Sequence, residues 1–302
     1  MTDDASNLAP SQLSDDMPLG GVPLTAVCGH LLRRAQQVHN ALWLREVGTD
    51  PTSPQYAVLA AIAASPGLDQ RQVGELASLD TSSTMDVVAR LVRRDWITRR
   101  RDPSDGRRHM LTATPAATSS LEQLRRRVQR VQELLLEPVP FASREGFLEL
   151  LRRVARVGPP PGSGFSPLHI PGHLLRRAQQ VHTALFAAEF ERELTGPQYA
   201  ALHVLTEHPS ISQRELGDRA ALDKSTAADL VQRLVGRGWI LRERDTSDGR
   251  QRVLSLTPGA RDAADGFAPR VAEVQERLLE PLDEAERERF LELLVPVAFA
   301  AG

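Results

Sequence analysis

The decapeptide HLLRRAQQVH occurs twice, at His30–His39 and again letter for letter at His173–His182, an offset of 143. The offset holds without a gap: it relates Pro54 to Pro197, Asp80 to Asp223, Trp96 to Trp239, Asp105 to Asp248, Thr114 to Thr257 and Phe147 to Phe290. A chain written twice at one long offset is a tandem duplication and not a short-period solenoid. Whatever fold one copy takes, the other must take as well. Any surface on which such a unit pairs with its own kind can be covered within the chain. The boundaries expected are a disordered leader over 1–22, a first copy over 23–157, a linker over 158–171 and a second copy over 172–300. The linker opens on GPPPGSG, stiff at the prolines and flexible after them.

Within each copy the apolar spacing predicts mostly helix. Leu31, Ala35, Val38 and Leu42 fall on one stripe of a long first helix. Pro54 suits a helical first turn with Ser53 as its cap. Asp69-Gln-Arg-Gln72 and Ser212-Gln-Arg-Glu215 have the spacing of capping boxes for a short third helix. Asp80, Ser82 and Ser83 open a fourth helix that runs to about Arg94. Thr114-Pro115 opens a fifth, in which Leu121, Leu124, Val128, Val131 and Leu135 keep helical spacing until Pro138. A last short helix carries Phe147, Leu150, Leu151 and Val154. Between the fourth and fifth helices lie Trp96–Arg101, a turn at Asp102-Pro-Ser-Asp-Gly106, and a second extended run from Arg107 to about Thr112. A helix followed by an arginine-rich hairpin is the layout of a winged helix-turn-helix. The fold class expected is mainly α with small β wings. The long first, fifth and last helices carry more apolar stripe than one small wing domain can bury. The two copies are therefore expected to pair as an intramolecular pseudo-dimer and the chain to act as a monomer, with larger assemblies left open.

The bulk numbers narrow the class. At 302 residues, 41% hydrophobic and 25% charged, the chain is an ordinary globular protein of about two domains. A net charge of −2 gives no global basicity, so any affinity for nucleic acid must be local. One cysteine, Cys28, excludes an intrachain disulfide framework and fits a reducing compartment. The acidic N-terminus lacks the pattern of a secretory signal, and no apolar run approaches the roughly 20 residues of a membrane span. A cytoplasmic location without membrane contact is expected. The eight histidines show no metal-ligand spacing, and no catalytic triad, phosphate loop or carboxylate pair stands out. Neither an enzyme nor a cofactor is expected.

Taken together, PQYAVL at the second helix, Leu-Asp ahead of the fourth helix, RLV inside it, the D-x-x-D-G-R turn and the LTPGA that follows in the second copy resemble the multiple antibiotic resistance regulator (MarR) family. The first copy departs at Ala113 and Ala116, where the second has Leu256 and Gly259. The resemblance covers nearly everything but leader and linker. It implies a ligand-responsive transcription factor, often a repressor, on a pseudo-palindromic operator of double-stranded DNA.

In such a head the fourth helix enters the major groove. The residues expected there are Thr81, Ser82, Ser83, Thr84 and Asp86, with Arg90 and Arg94 farther along. In the second copy they are Lys224, Ser225, Thr226 and Asp229, with Arg233. The hydroxyls could equally serve as helix caps. At the hairpin tip, Arg107 and Arg250 suit a minor groove; the resemblance makes them the wing arginines, with Asp105 and Asp248 holding the loop and Arg108 and Arg252 close by. Arg90–His109 carries a net +5 and Arg233–Arg252 a net +3, so the two heads are expected to grip DNA unequally. On the first helix Arg33, Gln36, His39 and Trp43, and in the second copy Arg176, Gln179, His182 and Phe186, could seat a small aromatic or phenolic acid, or could be interface residues. Two other readings stay open: redox sensing through Cys28, and a winged-helix module that binds proteins without DNA.

Overall fold

The computed structural model describes residues 23–101, 108–159, 169–244 and 252–300. The first copy contributes α1 (Cys28–Glu46), α2 (Ser53–Ala64), β1 (Leu68–Asp69), α3 (Gln70–Ala77), α4 (Thr81–Arg93), β2 (Ile97–Arg101), β3 (His109–Ala113), α5 (Pro115–Leu135) and α6 (Arg144–Val154). The second repeats the order as α7 (Pro171–Phe190), α8 (Gly196–Glu207), β4 (Ile211–Ser212), α9 (Gln213–Ala220), α10 (Lys224–Gly236), β5 (Ile240–Arg244), β6 (Arg252–Leu256), α11 (Pro258–Leu279) and α12 (Glu284–Ala298). The architecture is mainly helical with one small antiparallel sheet per copy, ordered β1-β3-β2 and β4-β6-β5.

Local chemistry sets the helix ends. Thr114 caps α5 by accepting from Ala117 N, with Pro115 in the first turn. The box at α3 closes in both directions: Asp69 accepts from Gln72 N at 2.9 Å and Asp69 N donates to Gln72 Oε1 at 3.0 Å. At α9 Ser212 accepts from Glu215 N at 3.2 Å, while Glu215 Oε1 is held by Arg219 at 3.0 Å, an i,i+4 ion pair that competes with the reciprocal bond. Ser53 is not the cap of α2. Thr52 is, and Ser53 is the buried first residue of the helix. The signal that would have placed the cap is Gln55, three residues after Thr52, which completes the box. In the wing, Ile97 pairs with Ala113 and Arg101 with His109, so Ile97 and Leu111 turn into the core while Arg99, Arg100 and Arg101 stay exposed.

Two compact units result, and they do not coincide with the two copies. One comprises Met1–Val27 with Arg192–Glu273, the head of the second copy. Its interior gathers Leu202, Leu205, Leu216, Val231, Leu234, Ile240 and Leu254. The other comprises Cys28–Glu191 with Val274–Gly302: the whole first copy plus the terminal helices of the second. It has two cores. One, with Leu59, Ile62, Val73, Leu91, Ile97 and Leu111, builds the first head. The other draws α1, α5 and α6 together with α7, α12 and the end of α11 around residues such as Leu31, Leu151, Leu175, Leu278 and Leu294. There Phe147 stacks on its repeat partner Phe290 at 5.9 Å between ring centroids, and Arg153 pairs with Glu286. The apolar stripes of the two copies thus bury one another. Helices α1 and α7 approach so closely that a Cβ on Gly29 would meet His182 Nε2 at 2.1 Å, and one on Gly172 would meet His39 Nε2 at 2.1 Å.

Candidate functional site

Each head presents a helix whose first turn is fixed by an aspartate. Asp80 accepts from Ser83 N at 2.8 Å and from Ser83 Oγ at 2.6 Å. Asp223 accepts from Ser225 and Thr226, backbone and hydroxyl alike, at 2.6–3.0 Å. These bonds, the side-chain ones first, hold both carboxyls below the usual carboxylate range. The caps are therefore Asp80 and Asp223, and Ser83, Ser225 and Thr226 donate their hydroxyls to them while those hydroxyl oxygens can still accept. The solvent face of α4 carries Thr81, Ser82, Asp86 and Arg90, and also Met85, Ala89 and Arg93. That of α10 carries Lys224, Ser225, Thr226, Asp229 and Arg233, and also Ala228 and Gln232. Met85, Ala89, Arg93, Ala228 and Gln232 go beyond the sequence expectation, although steps of three and four from Thr81 and Ser225 lead to them.

Thr84 does not join this face. It is 1% exposed, its Oγ1 donates to Asp80 O at 2.7 Å, and its side chain fills the space above Gly74. Arg94 is the residue that ends α4. It pairs with Asp50 and lies over the Trp96 ring at 3.8 Å. Arg237 repeats this over Trp239 at 3.9 Å and donates to Glu193 O. These arginines brace the heads and are turned to protein. Arg108 Nη2 donates to Asp69 Oδ2 at 2.9 Å, tying the wing base to α3, whereas Arg252 is exposed. Asp105, Arg107, Asp248 and Arg250 lie outside the described residues.

A second cluster is buried where α7 packs on the first copy. Arg176 Nη1 donates to Ser53 Oγ at 3.3 Å, and His173 Nε2 lies 3.3 Å from Ser78 Oγ. His39, 1% exposed, is hydrogen-bonded to Gln36 and faces Trp43, whose ring is 5.5 Å from that of Tyr56. The Trp43 indole N–H donates to Pro51 O, so the ring offers only its apolar body. Arg176 Nε, His173 Nδ1, Gln179 Oε1 and Gln36 Oε1 are shut off from solvent with no hydrogen-bond partner among the described residues. Burial pushes Arg176 down to about 10, so it stays a cation at neutral pH. Burial, and then the Arg176 charge, push His39 and His173 down to about 3, so both stay neutral. One buried cation, neutral histidines, spare hydrogen-bonding atoms and neighbouring aromatic rings are the groups that suit an anion with a flat apolar body.

The repeat counterparts on α1 and α7 lie in the same unit. Arg33 Nη2 donates to His30 Nδ1 at 3.1 Å, and burial, followed by Arg34, pushes Arg33 down to about 10. His182 is pushed down to about 3 by burial and by Arg33, and its ring faces Phe186, which stacks on Phe190 at 4.6 Å. Cys28 is 1% exposed, and burial pushes its thiol up to about 12. A neutral, enclosed thiol lacks the thiolate and the access that redox sensing needs. Among the described residues no helix is long and apolar enough to cross a membrane.

Two MarR family models match the chain, one over residues 48–108 and the other over 194–251, one in each head. Among curated proteins, the transcriptional regulator HosA of Escherichia coli O127:H6 is 34% identical over 122 residues, 40% of this chain and 90% of the relative. The HTH-type transcriptional repressor NicR of Pseudomonas putida is 34% identical over 124 residues, 41% of this chain and 78% of the relative. Among solved structures, the PcaV transcriptional regulator of Streptomyces coelicolor in complex with its natural ligand is 45% identical, with a TM-score of 0.43 over 45% of this chain and 96% of that one.

Proposed function

The chain belongs to the MarR family of DNA-binding transcriptional regulators, which are not enzymes, and from that premise we propose that it is a repressor whose two unequal heads read a pseudo-palindromic operator and release it when a small aromatic acid binds. One observation carries the ligand half: the guanidinium of Arg176 is enclosed, charged and, among the described residues, paired with no carboxylate. An uncompensated buried charge is costly, of the order of several kcal/mol. An incoming carboxylate would remove that cost, the Trp43 and Tyr56 rings would cover its aromatic body, and Ser78 or His39 could meet a phenolic hydroxyl. Coupling to DNA has a short physical route, because Ser78 closes the turn between α3 and α4. A ligand that draws on His173 pulls on the residue two positions ahead of Asp80, the cap of the recognition helix.

The unequal charge of the helix-and-wing segments supports an unequal grip. Arg107→Ala should weaken operator binding more than Arg250→Ala at matched salt. The test of the whole reading is a mobility shift on DNA enriched by the full chain from genomic fragments, with and without benzoate and 4-hydroxybenzoate. Release by acid in the wild type, with Arg176→Met bound but unresponsive, is expected. Complexes that ignore both acids overturn the ligand half; no enriched sequence overturns the DNA half.

A further inference from the structure

The recognition helix of the first head has an apolar flank that neither its cap nor its charge accounts for. Met85 is 56% exposed and Val92 38%. Val88, Ala89 and Val92 follow Met85 at helical steps, so the four share one side of α4. Across from that side, the register of the wing pairs Arg99 with the buried Leu111, and residues paired in this way leave a sheet on the same face. Arg99 is thus turned to the helices. With Gln70 at the start of α3, these five residues line a groove of about 450 Å³. Its floor is apolar, and its polar members are Gln70 and Arg99.

We propose that the first head reads thymine in this groove: the Met85 thioether packs on the 5-methyl group of a thymine in the major groove, and Arg99 at the rim takes a backbone phosphate beside it. The proposal rests on the DNA-binding reading above and deepens it, from the helix that reads the half-site to the chemical group it reads there.

Thymine follows from what base edges offer. In the major groove every base presents donors or acceptors, and thymine alone adds an apolar group. A thioether has no donor and only a weak acceptor, so the methyl is the one feature that rewards it. Its unbranched, polarisable chain can settle against a methyl in more than one rotamer. A single exposed apolar side chain is ordinary, but Met85 continues into the groove and stands between Thr81, Ser82, Asp86 and Ala89 on the solvent face of α4. The surrounding charge selects a polyanion. Asp86 is the one acidic residue of α4, while Arg90, Arg93, Arg99, Arg100 and Arg101 are all exposed. An apolar partner would have to cover these guanidiniums; a phosphate backbone neutralises them. At the repeat offset α10 has Ala228 and Gln232 where α4 has Met85 and Ala89. Ala228 stops at Cβ, a whole thioether shorter, so the Met85 effect belongs to one half-site.

The test begins with an operator selected by the full chain from randomised duplexes. Each thymine is then replaced singly by deoxyuridine, which removes only the 5-methyl group, and binding is measured at matched salt. At one thymine of one half-site the replacement should weaken wild-type binding about fourfold, the worth of one buried methyl group. Met85→Ala should weaken the thymine duplex by a similar factor and no longer tell it from the uracil duplex, whereas Met85→Leu, still apolar, keeps the distinction. The side chain is exposed, so Tm should not move in either variant. Arg99→Ala should weaken all sequences alike and lower the slope of log K against log salt by about one, a slope that Met85→Ala leaves alone. A wild type indifferent to every thymine methyl, or a Met85→Ala variant that discriminates as well as the wild type, overturns the thymine assignment and leaves DNA binding standing. An unchanged salt slope in Arg99→Ala overturns the phosphate contact. No enriched sequence overturns the DNA-binding reading and the thymine assignment together.

Discussion

Among the described glycines the tightest approach is glycine against histidine, and it can be tested with one methyl group. Gly172 lies in the first turn of α7, where a Cβ would come within 2.1 Å of His39 Nε2, 2.4 Å of Cδ2 and 2.9 Å of Cε1. The ring has little room to retreat: His39 is 1% exposed, bound to Gln36 through Nδ1 and flanked by Trp43. In Gly172→Ala, helix propensity contributes at most about 1 kcal/mol of stabilisation. Against it stand about 1–3 kcal/mol for overpacking and about 1 kcal/mol for the Gln36 bond once the ring is displaced. The net expectation is a loss of about 1–3 kcal/mol, or a fall in Tm of a few degrees to roughly ten. The repeat supplies an internal duplicate, because Gly29 faces His182 Nε2 at the same 2.1 Å. A control is Gly146→Ala, also helical but with nothing within 4 Å of the new Cβ, which should hold or slightly raise stability. Urea unfolding of Gly172→Ala, His39→Ala and the double variant closes a cycle in which the glycine substitution costs much less once the ring is gone. Should Gly172→Ala melt at or above the wild type, or cost as much without the His39 ring as with it, the tight contact of α1 and α7 is not what fixes this interface.

The remaining predictions concern pH and base reading. His39, His173 and His182 all sit near 3 in the fold against 6.5 when unperturbed, because burial penalises their charged form. The unfolded chain therefore binds more protons between those values, so the stability is fully present above about pH 6.5 and is lost as pH falls toward 3. The slope reaches about 1.4 kcal/mol per pH unit for each histidine. The urea midpoint should fall steeply between pH 6.5 and 5, and a flat midpoint across that range would falsify the assignment. On the DNA side, Gln232 of α10 stands where α4 has Ala89. Gln232→Ala should cost about 1–3 kcal/mol at a single adenine of one half-site and leave the other half-site unchanged in a selection from randomised operators. Equal relaxation of both halves would show that the helix faces do not set the difference.

How much of this was legible in the sequence follows from the range of the forces involved. Asp69, Asp80 and Thr114 act on amides two or three residues away, so their caps were readable from spacing alone. The misassigned cap at Ser53 was still a local matter, settled by Gln55. Thr84 is where spacing stopped being enough. A hydroxyl in the first turn of a recognition helix reads as a DNA contact until Gly74, ten residues earlier on another helix, leaves a space only that side chain fills. The decapeptide is the sharper case. Identical residues in identical local sequence give Arg33 and Arg176 one and the same expectation. Arg176 is in fact held by Ser53 and His173 by Ser78, both more than 90 residues away, and no local spacing reports such contacts.

Duplication in one chain gives differences between the copies room to persist. In a pair of separate identical subunits, a substitution such as Ser78 to alanine would appear in both sites at once. Fused copies are free to carry Ser53 and Ser78 in one half and Gly196 and Ala221 in the other, and Met85 on α4 with Ala228 at the equivalent position of α10. The same freedom does not extend to the packing of α1 on α7. His39 needs Gly172 and His182 needs Gly29, so each copy constrains the other across the helix crossing. Divergence in this protein should therefore concentrate at the positions equivalent to Ser53, Ser78 and Gln232. The glycine–histidine pairs should tolerate change only when both members change together.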